Sequence, residues 1–223
     1  MKELDNIQTM QVARGEHKHL VIMHVSDETA QWRIKQEADS VLTIHLFCLD
    51  SAADAKSNVL LDVEQIGEHA ETYIYGIGLL TGKQQISVRT HVNHSVPNGR
   101  SNQLLKFAVR DEAQGAFVGE LIVAPHAQHT EAMQINRNVL LSPTATMHTQ
   151  PQLEIYADDV KCSHGATTGQ IDESALFYMQ QRGIAPDEAR RLLLAAFFHD
   201  VLATLNEPDV EDRIQRKIEK IIL

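Results

Sequence analysis

The sequence predicts a mostly β protein that ends in a small α-helical region. Three observations predict this fold class. Between about residues 12 and 160, short apolar runs alternate with a period of two, which is typical of half-buried strands. An alanine recurs just before several of these runs. From Asp172 onward the apolar residues instead recur at spacings of three and four, which is typical of amphipathic helices. We therefore expect a β domain over residues 1–170 and a helical domain over residues 171–223.

The strand-like runs are short and separated by turn residues. Clear examples lie at residues 19–25, 40–47, 71–80, 85–92, 116–123 and 138–142. The segment 91–103 is the richest in turn residues, because it holds Pro97, Asn98 and Gly99 together. We expect this segment to be a loop inside the β domain and not a linker between domains.

The recurring alanines suggest a coiled sheet. They are Ala38, Ala70, Ala113, Ala127 and Ala145. The best match is between Pro125-x-Ala127 and Pro143-x-Ala145. A small residue at each corner, followed by a short strand, lets each turn of the chain stack on the turn below, so the repeat favours a β-solenoid. An antiparallel sandwich with variable turns would permit the same alternation.

The C-terminal region is expected to form three helices. Asp172 is a candidate N-cap for a helix over 173–182 and Gly183 a candidate C-cap, while Pro186 suits the first position of the next helix. The second helix has an apolar stripe of Ala189, Leu192, Leu193, Ala196, Phe197, Val201 and Leu202. The third, over 209–223, has a stripe of Val210, Ile214, Lys217, Ile218, Ile221 and Ile222. Such faces either cover the end of the solenoid or bind a partner.

Composition and charge exclude several classes of function. The 223 residues carry a net charge of −10, which argues against a nucleic-acid surface. Two cysteines far apart in sequence, Cys48 and Cys162, are expected to be reduced thiols in a cytoplasmic protein. The N-terminus lacks the apolar core of a signal peptide, and no apolar run is long enough to span a bilayer. The sequence also has no GxxxxGK[ST] loop, so we do not expect it to bind ATP phosphates by that motif.

Cys162 and His164 are the strongest candidates for chemistry. Their spacing of two would place both side chains on one side of an extended chain. Thiolate and imidazole suit zinc or the iron of an iron–sulfur cluster, and a Cys–His pair also suits a hydrolytic dyad. A turn that happens to contain these residues would explain them as well. The other histidines, among the twelve in the chain, show no HExxH spacing, although stacked turns would bring distant ones together.

A resemblance to a known family adds to these alternatives. Residues 101–202 resemble the SufB/SufD family of iron–sulfur cluster assembly proteins. Within this range "QPQLEIYADDVKCSHGATTGQIDESALFYMQQRGI" resembles the SufD branch, since "SHGA" stands where the SufB branch has an "EHEA"-like stretch. The resemblance implies a right-handed parallel β-helix followed by a small helical domain. It also implies a non-catalytic scaffold and not an enzyme.

The resemblance further implies partners and a shared site. SufD pairs with SufB, and each binds a copy of the ATPase SufC through its C-terminal helices, so Leu192, Leu193, Ala196 and Phe197 become candidate partner contacts. His164 is implied to bind a nascent iron–sulfur cluster at the SufB–SufD interface with a cysteine from SufB, beside Cys162. The isolated chain is then expected to hold no cofactor and to be able to form a homodimer. Longer family members carry an N-terminal helical segment, which this chain is expected to lack.

Two other functions are open to a solenoid of this kind. A β-helix carbohydrate-active enzyme needs paired carboxylates and sugar-stacking aromatics, but Trp32 is the single tryptophan and no carboxylate pair stands out. A purely structural solenoid needs neither a metal nor a partner.

Overall fold

The fold is a two-sheet β-solenoid followed by helices. A computed structural model describes residues 7–24, 29–49, 52–205 and 207–222. In these residues twelve strands form two six-stranded parallel sheets, and the chain alternates between the sheets from one strand to the next. Each pair of consecutive strands therefore makes one turn of a coil. This arrangement confirms the mostly β solenoid and rules out the antiparallel sandwich.

The first sheet contains the odd-numbered strands. They are β1 (Ile7–Val12), β3 (Thr29–Gln36), β5 (Lys56–Gln65), β7 (Gln85–His94), β9 (Gln114–Val123) and β11 (Thr146–Ile155). The second sheet contains β2 (His17–His24), β4 (Val41–Cys48), β6 (Glu71–Leu80), β8 (Arg100–Val109), β10 (Glu131–Leu140) and β12 (Lys161–Gln170). Neighbouring strands align position by position, so residues of successive turns stack in straight rows.

The interior between the sheets is filled by those rows. Ile44 aligns with Ile74, Val63 aligns with Val92, and all four side chains are buried. The rings of Phe107 and Phe117 lie 6.4 Å apart between the two sheets. A stack of branched aliphatic side chains of similar size packs densely with few rings, which explains the low aromatic content of the sequence.

The corners of the solenoid need small residues. Ala70, Ala113, Ala127 and Ala145 are buried there, as the repeat predicts. The prediction is wrong at Ala38, which is only half-buried, because Ser40 occupies the buried corner position immediately before β4. The turn-rich segment is also shorter than expected: only residues 95–99 separate β7 from β8, and the rest of 91–103 belongs to these strands.

The three C-terminal helices begin and end near the predicted residues. They are α1 (Glu173–Gln181), α2 (Pro186–Leu202) and α3 (Pro208–Ile222). The Asp172 carboxylate accepts hydrogen bonds from two backbone N–H groups in the first turn of α1. Gly183 adopts φ +86°, the left-handed conformation that ends a helix with little strain. In the described part of the chain, none of the helices has the length and apolar character needed to cross a membrane.

Helix α2 packs on the outer face of the second sheet. Its most buried large side chains are Leu194 and Phe198, which contact a cluster that includes Phe47 and Leu79 of the strands. The predicted stripe on α2 is therefore partly wrong. Leu192 and Ala196 are exposed, and Leu193 and Phe197 are half-buried, so these four residues lie beside the packed face and not at its centre. On α3 the predicted Ile214 and Ile218 are buried.

Lys106 fixes α2 against β8. Its side chain is only 4% exposed, and its Nζ lies 2.5 Å from Oδ1 of Asp200. The same ammonium donates a hydrogen bond of 2.6 Å to the backbone oxygen of Phe197 and lies 4.8 Å from the centre of the Phe197 ring. A buried charge with three favourable contacts holds the helix in one position on the sheet.

Candidate functional site

The candidate site lies at the outer edge of the second sheet. β12 is the outermost strand there and pairs with β10 on one side, while no strand within the described ranges pairs with its other side. Most of β12 is exposed, and β11 is the outermost strand at the same end of the first sheet. Unpaired strand edges present backbone donors and acceptors that can pair with another chain.

Cys162 and His164 both belong to β12. Cys162 aligns with Ala132 and His164 aligns with Gln134 in β10. Because Ala132 and Gln134 are buried in the interior, Cys162 and His164 share the inward-facing side of their strand. The strand is the last of its sheet, so Cys162 is half-buried and His164 is exposed. The interpretation of this pair as turn residues is therefore wrong.

The thiol of Cys162 is not activated in this structure. Partial burial raises its pKa above the usual value, and a backbone hydrogen bond involving Ala132 offsets only part of that rise. The thiol form therefore predominates at neutral pH, whereas a hydrolytic Cys–His dyad requires the thiolate. The other cysteine, Cys48, is fully buried, and burial raises its pKa to about 12.

A polar network joins the last two turns of the solenoid. Asn138 Nδ2 donates to Asn136 Oδ1 at 2.7 Å and to Thr168 Oγ1 of β12 at 3.2 Å. From the first sheet, Thr149 Oγ1 donates to the same Asn136 oxygen at 2.7 Å. Both asparagines are buried. The network ties β12 and β11 to the turn below them and so holds the exposed edge in place.

A row of alternating charges ends on β12. Arg100 Nη2 lies 2.9 Å from Oε2 of Glu131, and Lys161 Nζ lies 3.3 Å from Oε1 of the same carboxylate. Hydrogen bonds from Lys161 and Arg100 lower the pKa of Glu131. Lys161 is the outermost charge of this row and is 84% exposed.

The stacked turns also bring two distant histidines together. His19 Nε2 lies 2.8 Å from His45 Nδ1, and His19 Nδ1 lies 3.0 Å from Oε1 of Glu207. The other ring nitrogen of His45 lies 2.8 Å from Thr204 Oγ1. Burial, followed by the neighbouring His19, lowers the pKa of His45 to about 4. The pair links the first turns of the solenoid to the connection between α2 and α3.

A metal ion needs a set of ligands brought together in one place. Within the described residues, no group of three or more His, Cys, Asp or Glu side chains is arranged to hold a metal ion. Cys162 and His164 therefore offer two potential ligands of a set that would need others.

A groove of about 370 Å³ lies between α2 and α3. Its lining includes Leu192, Ala196 and Phe198 of α2 and Ile218 of α3. Leu192 is 45% exposed, which is high for a leucine beside a packed helix face. The groove thus offers apolar surface at the position where the sequence predicts a partner.

The described residues thus form a solenoid of two parallel sheets, with Cys162 and His164 on an edge strand and three helices at the C-terminal end. Residues 13–197 match the family described as SUF system FeS cluster assembly, SufBD core domain. The chain therefore belongs to the SufB/SufD family of iron–sulfur cluster assembly proteins, within its SufD branch.

Three relatives illustrate the similarity. An iron–sulfur cluster assembly SufBD family protein of Synechocystis is 36% identical over 156 residues, which are 70% of this chain and 34% of the relative. The iron–sulfur cluster assembly protein SufD of Escherichia coli is 36% identical over 152 residues, 68% of this chain and 36% of that protein. The chloroplastic protein ABCI7 of Arabidopsis thaliana is 31% identical over 212 residues, 94% of this chain and 44% of that protein. The chain thus spans less than half the length of these relatives.

Proposed function

We propose that the chain is a SufD-like scaffold subunit that pairs with a SufB-like chain and binds a SufC-like ATPase. The observation that carries this proposal is the position of His164 and Cys162 on the unpaired, exposed edge strand of the solenoid. A site with two ligands at a docking edge is suited to completion by a second polypeptide. Co-expression with the SufB-like and SufC-like proteins of the same organism tests the proposal, and one stable assembly of the three chains is the expected result.

In this proposal the nascent iron–sulfur cluster is cargo and not a resident cofactor. His164 supplies an imidazole ligand, and Cys162 lies beside it on the same side of β12. The remaining ligands come from the SufB-like chain. The raised pKa of the Cys162 thiol is in keeping with a chain that performs no nucleophilic step of its own. The isolated chain is expected to be colourless and to be able to form a homodimer through the same edge.

We assign a different partner to each of the two regions of the chain. We assign the solenoid, residues 1–170, to pairing with the SufB-like subunit and to the cluster site. We assign the helical domain, residues 171–223, to binding of the ATPase. Reduced cysteines and a negative net charge are consistent with a cytoplasmic location and with protein partners rather than nucleic acid.

The ATPase surface is centred on Leu192 and Ala196, with the half-buried Leu193 and Phe197 beside them. Of these four residues, Leu192 and Ala196 line the groove between α2 and α3. An exposed leucine and a small residue beside an apolar groove suit the insertion of a partner side chain. Phe197 contributes less directly, because its backbone oxygen and ring already contact Lys106.

Replacing Leu192 by Asp is expected to weaken binding of the SufC-like ATPase by about tenfold or more, because a charge would be buried at the contact. Isothermal titration calorimetry with the purified ATPase measures the change. Met133→Asp is the matched control, since Met133 is a similarly exposed apolar residue on β10. Equal affinities for wild type and Leu192→Asp would show that the ATPase binds elsewhere.

A further inference from the structure

Gln134, like its aligned neighbour Gln103, is an unusual residue for the interior of the solenoid. Its side chain is fully buried, and neither its Nε2 nor its Oε1 has a hydrogen-bond partner among the described residues. Buried amides are nearly always paired, because burial without a partner costs free energy. An apolar side chain at this position would pack without that cost. The glutamine therefore calls for an explanation beyond packing.

The position of Gln134 relates it to the candidate site. In β10 it aligns with His164 of β12 on one side and with Gln103 of β8 on the other. Inward-facing residues of adjacent parallel strands stack about 4.8 Å apart. Gln134 is thus the buried residue directly beneath His164.

The opposite sheet leaves room for this amide. Gly119 lies in β9, and a Cβ atom at this position would overlap the amide end of Gln134. The glutamine side chain therefore extends across the interior as far as the first sheet. The absence of a side chain at Gly119 leaves space for the amide in this position.

An imidazole that binds a metal through one ring nitrogen usually donates its other N–H to an acceptor. That hydrogen bond fixes the orientation of the ring and increases its basicity. The Oε1 atom of Gln134 is an unpaired acceptor one strand below His164. In the chain alone, His164 is exposed to solvent and is free to turn.

We propose that Gln134 is the positioning residue of His164. When the partner chain covers β12, the His164 ring turns toward the interior and its N–H donates a hydrogen bond to Gln134 Oε1. The second ring nitrogen then faces the shared seam and is available to iron. This inference rests on the proposed function, because it assumes that His164 binds the cluster.

Gln134→Met tests the inference in the reconstituted three-protein complex. Methionine has a similar volume but no acceptor, so the melting temperature of the variant is expected to rise while cluster assembly falls about tenfold or more. Gln134→Glu keeps an acceptor oxygen and is expected to assemble cluster as the wild type does. Gln103→Met is the matched control, because Gln103 is an equally buried and unpaired glutamine one strand further from His164. It is expected to raise the melting temperature and leave assembly unchanged.

A spectroscopic measurement distinguishes positioning of the His164 ring by Gln134 from a general effect of the substitution on the fold. Pulsed EPR of the reduced cluster measures the ¹⁴N coupling of a bound imidazole, and Gln134→Met is expected to change this coupling while Gln103→Met does not. Wild-type assembly and coupling in Gln134→Met would overturn the inference, provided that His164→Ala abolishes assembly in the same assay. If His164→Ala also assembles cluster normally, the proposed function itself fails. A wild-type complex whose cluster shows no ¹⁴N coupling would overturn the proposed function and the inference together, because the coupling reports the bound imidazole itself.

Discussion

Replacing His164 by Ala is expected to abolish cluster assembly in the reconstituted complex and to leave the fold of this chain intact. The residue is exposed on the outermost strand, so its side chain contributes little to the packed interior. Loss of the imidazole removes the ligand that this chain is proposed to contribute to the shared site. Iron and acid-labile sulfide per complex measure assembly, and the melting temperature measures folding.

His148→Ala is the matched control for this experiment. His148 lies on β11, the outermost strand of the other sheet, and is also exposed, but it faces away from the interior. Its replacement is expected to leave the iron and sulfide content unchanged. A His164→Ala complex that holds as much iron and sulfide as the wild type would refute the assignment of the site.

Replacing Phe198 by Ala is expected to lower the free energy of unfolding by about 3–5 kcal/mol, the usual cost of truncating a buried phenylalanine. Phe198 is fully buried between α2 and the second sheet, in a cluster with Phe47, Ile77 and Leu79. Urea unfolding followed by circular dichroism measures the change.

Phe177→Ala provides the comparison for this core substitution. Phe177 is a phenylalanine on α1 with 62% of its side-chain surface exposed, and its truncation is expected to change stability by less than about 0.5 kcal/mol. Equal losses for the two variants would mean that α2 does not pack on the solenoid as the structure shows. The Phe198→Ala protein is also expected to bind the ATPase less well, because α2 carries Leu192.

The solenoid could be anticipated from the sequence because its corners constrain side-chain size. Ala70, Ala113, Ala127 and Ala145 mark those corners, and the strands between them alternate in hydrophobicity. The prediction fails at Ala38 because Ser40, two residues later, occupies the buried corner position before β4. The sequence pattern could not exclude an antiparallel sandwich. Alternation of apolar and polar residues indicates which face of a strand is buried, but it does not indicate which strand pairs with it.

The edge strand could not be recognised by its pattern. "KCSHGATTGQ" forms β12, yet it has little apolar alternation because no further turn among the described residues covers its inward side. For the same reason, the residues alone left Cys162 and His164 open to three interpretations. The family resemblance singled out His164, and the structure places this residue on the exposed edge strand β12.

The error on α2 has a different cause. The segment "LLLAAFF" is apolar on nearly every side, so a spacing of three and four fits more than one helix face. The contacts of Lys106 with Asp200 and with the Phe197 backbone fix the rotation of the helix on the sheet. Those contacts join residues about ninety positions apart, and no local pattern predicts them. The alignment of Gln134 with His164 is likewise visible only once the strands are paired.

Site-specific photo-crosslinking from β12 tests the central claim most directly. A benzoylphenylalanine placed at Ala166, an exposed residue on the same inward-facing side of β12 as His164, is expected to crosslink to the SufB-like subunit in the assembled complex. The same probe at Asn58, an exposed position on the middle strand β5, is expected to give no such product. Absence of a crosslink from position 166 in an intact complex, or an equal yield from position 58, would contradict the claim that this edge is the seam between the two chains.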